Sequence, residues 1–252
     1  MNKQDLAAMV AEILGSMESP PMVKATEYHA TAPQPEKKET HYTDGDFVPD
    51  VTALDLRKLY LVKDPENGEK YARMKEKTPA RLGSGRAGPR YKTLTALRFR
   101  ADHAAAQDAV FSQVPEDFAK KNGMTEVQTC CKSKDEYLTR PDLGRCFDEH
   151  NAKTIKGVID TPPTVQIVVG DGLSSAAILH NALDCMAAIQ DGLKGRGIDM
   201  GQPLFVRYCR VGAGDAIGDV TGCSVVCMLV GERPGLVTDK SMSAYITYNP
   251  HT

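Results

Sequence analysis

Neither sign of charge prevails in this sequence. The 31 Lys and Arg residues stand against 33 Asp and Glu, a formal net charge of −2 over 252 residues. A chain so close to neutral has no bulk electrostatic attraction for nucleic acid. Long apolar runs are missing too. Val165–Val169 and Val225–Val230 are among the longest, and they have strand length, far short of the ~20 residues that cross a bilayer. Asp5 and Glu12 interrupt the apolar residues of the N-terminus, which excludes the h-region of a secretory signal. The seven cysteines are odd in number, so they cannot all pair, and without a secretion signal they are expected reduced and cytosolic. No H-E-x-x-H and no nucleophile–base pair is visible, so the chain shows no self-sufficient catalytic apparatus.

What is there suffices for a real core. Hydrophobic residues make up 41% and charged ones 25%, and the length allows one to two domains at about 150 residues each. Residues 1–17 read as a short amphipathic helix, with Leu6, Met9, Val10, Ile13, Leu14 and Met17 at helical spacing, stopped by Gly15 and Pro20-Pro21. Residues 18–50 are rich in Pro, Thr, Glu and Lys without an apolar period, and read as a disordered linker. A sticky helix on a tether reads either as an addressing peptide or as a frayed end that happens to be amphipathic.

Residues 51–158 read as a helical domain. Helices are expected over Val51–Val62, Lys70–Leu82, Pro89–Gln113 and Gly144–Val158, the third with Pro89 in its first turn and Leu94, Leu97, Ala101, Ala104, Ala105 and Val110 on one buried face. Short strands are expected around Val127 and Tyr137. Residues 159–252 read as an α/β domain, with the period changing from residue 164. Val165–Val169 is a buried strand, Gly170-Asp171-Gly172 turns, Ser174 or Ser175 caps, and Ala176–Lys194 is a helix. Leu204–Val211, Ser224–Val230 and Ala244–Tyr248 are further strands of an expected parallel sheet.

Several short patterns have plain readings. Gly83-Ser84-Gly85-Arg86-Ala87-Gly88 matches G-x-G-x-x-G, but no buried strand precedes it and Asp102 falls within a helix, so a tight loop entering the helix is the better reading than a dinucleotide site. Asp148-x-His150-x-x-Lys153 lacks the final Gly of the D-x-H-x-x-G cobalamin motif, and His150 sits in a helical pattern. Cys223 and Cys227 would share a face of a strand, and read as buried thiols rather than a metal site. The loop Gly170, Asp171, Gly172, Ser174 differs in kind. It ends a strand and opens a helix, where open α/β sheets bind ligands. Arg207, Tyr208, Arg210 and Val211 end a second strand at the same edge, and Glu232 and Arg233 follow a third.

At these loops the sequence resembles the ethanolamine ammonia-lyase small (light) subunit. The resemblance is carried by Gly85-Arg86-Ala87-Gly88-Pro89-Arg90, Leu97-Arg98-Phe99, Asp102-His103, Tyr137–Arg145, Gly170–Ser174, Phe205–Tyr208 with Arg210-Val211, and Leu229–Leu236, in order from about residue 80 onward. It implies a heteromeric lyase dependent on adenosylcobalamin, bound base-on, that converts ethanolamine to acetaldehyde and ammonia by a radical mechanism. A large TIM-barrel subunit holds the substrate, and the small subunit's Rossmann-like domain clamps the cobalamin against it. By that resemblance Val211 and Glu232 contact cobalamin, no residue of this chain is catalytic, and Arg86 joins the candidate cofactor or interface loops. The family's chains continue past the strand holding Tyr248 to a further cobalamin-contacting cysteine, whereas this sequence stops at Thr252, an apparent truncation. The resemblance also implies a cytoplasmic, shell-enclosed microcompartment, with shell or cargo proteins as partners of residues 1–17. Two alternatives carry different expectations. One is a non-catalytic assembly subunit that no longer binds cofactor, and the other a free-standing dinucleotide-binding oxidoreductase.

Overall fold

A computed structural model describes residues 50–252; the expected helix at 1–17 and nearly all of the linker at 18–50 lie outside the described residues. The fold centres on Val165–Asp171 (β4), all seven residues of which are buried. A run so apolar suits a strand with neighbours on both edges and helices on both faces. Its neighbours are Leu204–Arg207 (β5) and Val225–Gly231 (β6), both parallel to it. Thr125–Gln128 (β3) adds in parallel outside β5, and Met242–Tyr248 (β7) adds outside β6, giving the order β3-β5-β4-β6-β7. The sheet thus reaches back beyond residue 159 to take a strand from the stretch read as helical.

One strand corrects the sequence reading. β7 runs antiparallel to β6, with Gly231 opposite Met242 and Val225 opposite Tyr248. Residues 232–241 are too few for the helical crossover of about a dozen or more residues that a parallel return needs, and they hold Pro234 and Gly235, so they make a hairpin instead. β7 forms the outer edge, and Ile246 is 71% exposed there.

Helices cover the two faces. Ser175–Lys194 (the long helix after β4) packs Ile178, Ala182 and Met186 against Val165, Ile167, Val169, Cys227 and Leu229. Ala213–Thr221 (the helix after β5) packs Ala213 and Ile217 against Val168, Val206, Val226 and Met228 on the opposite face. Ser174 caps the first of these, its hydroxyl accepting from the Ala177 amide at 3.1 Å. Cys223 and Cys227 fall into the cores of opposite faces, because the strand begins only at Val225, so the shared face expected of them does not form.

In chain order the helices are α1 (Gly68–Glu76), α2 (Thr93–Phe111), α3 (Phe118–Lys121), α4 (Lys134–Thr139), α5 (Glu149–Gly157), α6 (Ser175–Lys194) and α7 (Ala213–Thr221). Val51–Val62 yields only a 3-10 turn at Val51–Ala53, capped by Asp50. Pro89 opens no helix. It sits with Gly88 (φ +61°) at the tip of a two-stranded hairpin, Arg86–Ala87 (β1) with Arg90–Tyr91 (β2), and α2 starts after Lys92. Tyr137 lies in α4 rather than in a strand.

The buried side of α2 also differs from the expected one. Thr95 and Ala109 are buried, while Leu97 is 47% and Phe111 52% exposed. The inward side carries Arg98 and Asp102, because Asp102 pairs with both Arg98 (2.9 Å) and Arg81 (2.5 Å), and Arg98 also donates to the carbonyls of Val51, Thr52 and Leu54. An ion-paired cluster decides the helix's orientation where the apolar stripe does not. No helix among the described residues is long and apolar enough to cross a membrane.

Candidate functional site at the carboxyl edge of the sheet

The chain leaves β4 into α6 on one face and leaves the adjacent β5 into α7 on the other. Helices departing in opposite directions from neighbouring parallel strands open a crevice at the strands' carboxyl ends, the usual ligand position of open α/β sheets. The loops after β4, β5 and β6 all reach this edge. Asp171 lies opposite Arg207 and Gly170 opposite Val230 in the ladder, and the Cys209 amide donates to the Asp171 carbonyl at 2.9 Å.

The β4 loop is a foundation rather than an exposed surface. The Asp171 side chain is buried and accepts from the Ser175 hydroxyl at 2.6 Å. Burial raises its pKa, against the pull of that bond and of Lys134. Lys134, itself buried, donates to the Gly172 carbonyl at 2.9 Å, and burial lowers its pKa. Gly170 and Gly172 are needed for close packing. A Cβ on Gly172 would lie 2.8 Å from Val230 Cγ1, and one on Gly170 2.8 Å from Cys209 Sγ. Ser174, fully buried, also donates to the Asp239 carbonyl at 2.5 Å, which ties the 232–241 loop to the start of α6.

The β5 loop turns sharply at Tyr208, whose φ of +56° is rare for a residue with a side chain. Its carbonyl accepts from the Thr129 hydroxyl at 3.0 Å, which offsets part of that strain. Arg207 is engaged by its neighbours. It pairs with Glu126 and donates to the Val114 carbonyl at 2.9 Å. Arg210 lies over the Tyr137 ring at 4.1 Å and donates to the Tyr137 carbonyl at 2.7 Å, and its Nε is buried with no partner among the described residues. Beyond it Val211 is 41% exposed on the wall of an open groove of about 470 Å³, shared with Arg145, Arg210, Gly212, Asp215 and Thr252.

The β6 loop carries Glu232, half-buried, whose amide donates to the Ser241 carbonyl at 2.9 Å. Its Oε1 accepts from the Tyr245 hydroxyl at 2.5 Å, a bond that raises the Tyr245 pKa. Arg233 is exposed. Arg86 stands apart from these loops, in the β1–β2 hairpin, with its guanidinium 4.9 Å from the Tyr91 ring centre. The link between the two regions is Arg81, which donates to the Leu236 carbonyl at 2.5 Å.

Sequence reasoning placed Val211 and Glu232 at one sheet edge and missed Tyr137, Lys134, Arg145 and Tyr245. Tyr245 could have been found from the alternation of β7, had its antiparallel register been foreseen. The Asp148–His150 pair reads as expected. Asp148 caps α5, accepting from the Asn151 amide at 2.8 Å, and His150 is exposed on that helix. Among the described residues no group of three or more His, Cys, Asp and Glu is placed to hold a metal ion.

Comparison with known proteins places this edge in a family. Residues 68–252 match the family model described as ethanolamine ammonia-lyase light chain (EutC). The chain is 54% identical over 250 residues to the ethanolamine ammonia-lyase small subunit of Clostridium perfringens, covering 99% of this chain and 84% of that one. Against the small subunit of Clostridioides difficile it is 55% identical over 252 residues, covering 100% of this chain and 84% of the other. The Listeria innocua small subunit is 52% identical over 250 residues, 99% of this chain and 84% of that one. The matched residues include every loop at the carboxyl edge of the sheet, and the chain belongs to the ethanolamine ammonia-lyase small-subunit family.

Proposed function

We propose that this chain is the small subunit of an adenosylcobalamin-dependent ethanolamine ammonia-lyase, and that it clamps the cofactor against a large TIM-barrel subunit where ethanolamine is converted to acetaldehyde and ammonia. The observation that carries this is that Val211, exposed on the wall of an open groove, and Glu232, tethered by Tyr245, both lie on loops at the carboxyl edge of one sheet. Residues 159–252, joined by β3 from the preceding stretch, then act as a Rossmann-like cofactor domain.

The donor set suits cobalamin, which is large and fringed with amides. Glu232 offers a carboxylate to amide N–H groups, with Tyr245 engaging Oε1 and no protein donor on Oε2 among the described residues. Arg210, held over the Tyr137 ring, lends the groove wall a positive charge. Val211 supplies apolar contact. An open groove, rather than an enclosed cavity, fits a cofactor held between two subunits. When bound, adenosylcobalamin supplies a weak cobalt–carbon bond for radical chemistry. This chain's residues bind, orient and shield. With Asp148 used as a helix cap and His150 exposed on α5, a base-on cofactor needs no histidine from this chain. The exposed Leu97 and Phe111 of α2 are apolar surface for the large subunit. Residues 1–17 act as an address to a shell-enclosed compartment in the cytoplasm.

The test is spectroscopic. Adenosylcobalamin is titrated into this chain, into the large subunit and into both together. Tight binding and acetaldehyde production are expected only with both. Equal cofactor affinity of the large subunit alone would remove the clamp.

A further inference from the structure

We propose that Tyr245 is a positioning residue that holds the Glu232 carboxylate in its cofactor-facing orientation. The inference rests on the reading that Glu232 contacts cobalamin. Glu232 lies just past the end of β6, on the loop, where its amide bond to the Ser241 carbonyl fixes its backbone. Its side chain has three rotatable bonds and is only half-buried, so packing does not select its rotamer. Tyr245 is different. It is locked in the β6–β7 ladder opposite Met228, and Met228, Val230 and Glu232 alternate onto that same face. The rigid ring reaches along the face, and its hydroxyl donates to Glu232 Oε1 at 2.5 Å.

Two consequences follow. The carboxylate is held in one rotamer before ligand arrives, which reduces the conformational freedom lost on binding. The bond also occupies Oε1 alone, so the second oxygen stays available as an acceptor. A free glutamate on a loop would present both oxygens in many directions.

The experiment compares wild type, Tyr245→Phe, Glu232→Gln and the double variant, each as the full chain with the large subunit. Adenosylcobalamin affinity is read from its absorption on titration. Tyr245→Phe keeps the ring and removes one hydroxyl, and thermal melting checks that each variant folds. We expect Tyr245→Phe to weaken binding by about five- to tenfold, the upper part of the cost of immobilising one freed side chain on binding. Glu232→Gln should weaken it at least as much, and the double variant should bind no worse than Glu232→Gln. A second readout needs no cofactor. In chains carrying 13C-labelled tyrosine, the Tyr245 ring signal, assigned by its absence in Tyr245→Phe, should titrate at lower pH in Glu232→Gln than in wild type. If Glu232→Gln weakens binding and Tyr245→Phe does not, the positioning role is overturned while the cofactor reading stands. Weakening by both variants with additive effects would show Tyr245 acting through its own contact, and overturns it too. Wild-type affinity of Glu232→Gln would overturn the cofactor reading of that carboxylate, and the inference with it.

Discussion

A Cβ placed on Gly231 would overlap the carbonyl oxygen of Ser174, the residue that caps α6. The end of β6 and the start of α6 therefore meet backbone to backbone, directly beneath Glu232. Neither partner can yield by turning a side chain. Gly231→Ala should cost about 1–3 kcal/mol of stability through forced backbone shifts. Gly192 is the control, since it lies within α6 and a methyl group there would meet nothing within 4 Å, and Gly192→Ala should stabilise by up to about 1 kcal/mol. Equilibrium denaturation of the full chains measures both. Equal stability of Gly231→Ala and wild type would refute the close packing.

The thiols make a second, chemical prediction. Burial and then a hydrogen bond with Cys146 push the Cys130 thiol up to about 11. The thiolate is the reactive form, so at pH 8 nearly all of Cys130 is inert. Iodoacetamide treatment of the folded chain at pH 8, read by peptide mass spectrometry, should leave Cys130 unmodified, with labelling accelerating as pH approaches 11. Rapid labelling of Cys130 at pH 8 is the contrary result.

The sheet was legible because it obeys local rules. β4 and β6 are mostly apolar runs of strand length, Ser174 stands where a cap must, and three glycine-bearing loops follow three strands. What escaped depended on residues outside the element itself. The direction of β7 is fixed by the length of the 232–241 hairpin rather than by its own residues. The inward side of α2 is chosen by Arg81, 21 positions before Asp102, so an apolar period pointed to the wrong side. At the candidate site, Glu232 could be named from the loop it ends, but its partner Tyr245 became visible only with the register.

Asp148 links stability to pH. The Asn151 amide, which it caps, holds its carboxyl below the ordinary value of 3.8. A pKa lowered in the folded state means the stabilisation is fully present above 3.8 and is lost as pH falls through the lowered value. Asp148→Ala should therefore melt at lower temperature than wild type at pH 7, and the gap should close toward pH 2. Asp148→Asn, which keeps a capping oxygen, should fall between the two at pH 7. A gap that persists unchanged into acid would show that the side chain stabilises by something other than its charged cap.

Asp102 connects the outlying N-terminal region to the loop that carries Glu232. Its carboxylate is 11% exposed and pairs with both Arg81 and Arg98, which are 15% and 14% exposed. One nitrogen of Arg81 donates both to Asp102 and to the Leu236 carbonyl, each at 2.5 Å. Removing the charge of Asp102 leaves two guanidinium groups buried against a neutral side chain, a loss of about 3–5 kcal/mol when a buried pair is broken from one side. Arg81 is then free to turn away, and the 232–241 loop loses an anchor opposite the one Ser174 provides at Asp239. Asp102→Asn should thus lower the denaturation midpoint and raise amide hydrogen exchange in residues 232–241, although Asp102 lies in a different part of the sequence. Arg81→Lys should raise the same exchange with a smaller loss of stability, because the charge pair survives while the reach of the longer side chain and its stacking over the Phe99 ring at 4.4 Å do not. If Asp102→Asn destabilises the chain but exchange in 232–241 stays at the wild-type rate, the ion pair serves only its own region, and the carboxyl edge is held without it.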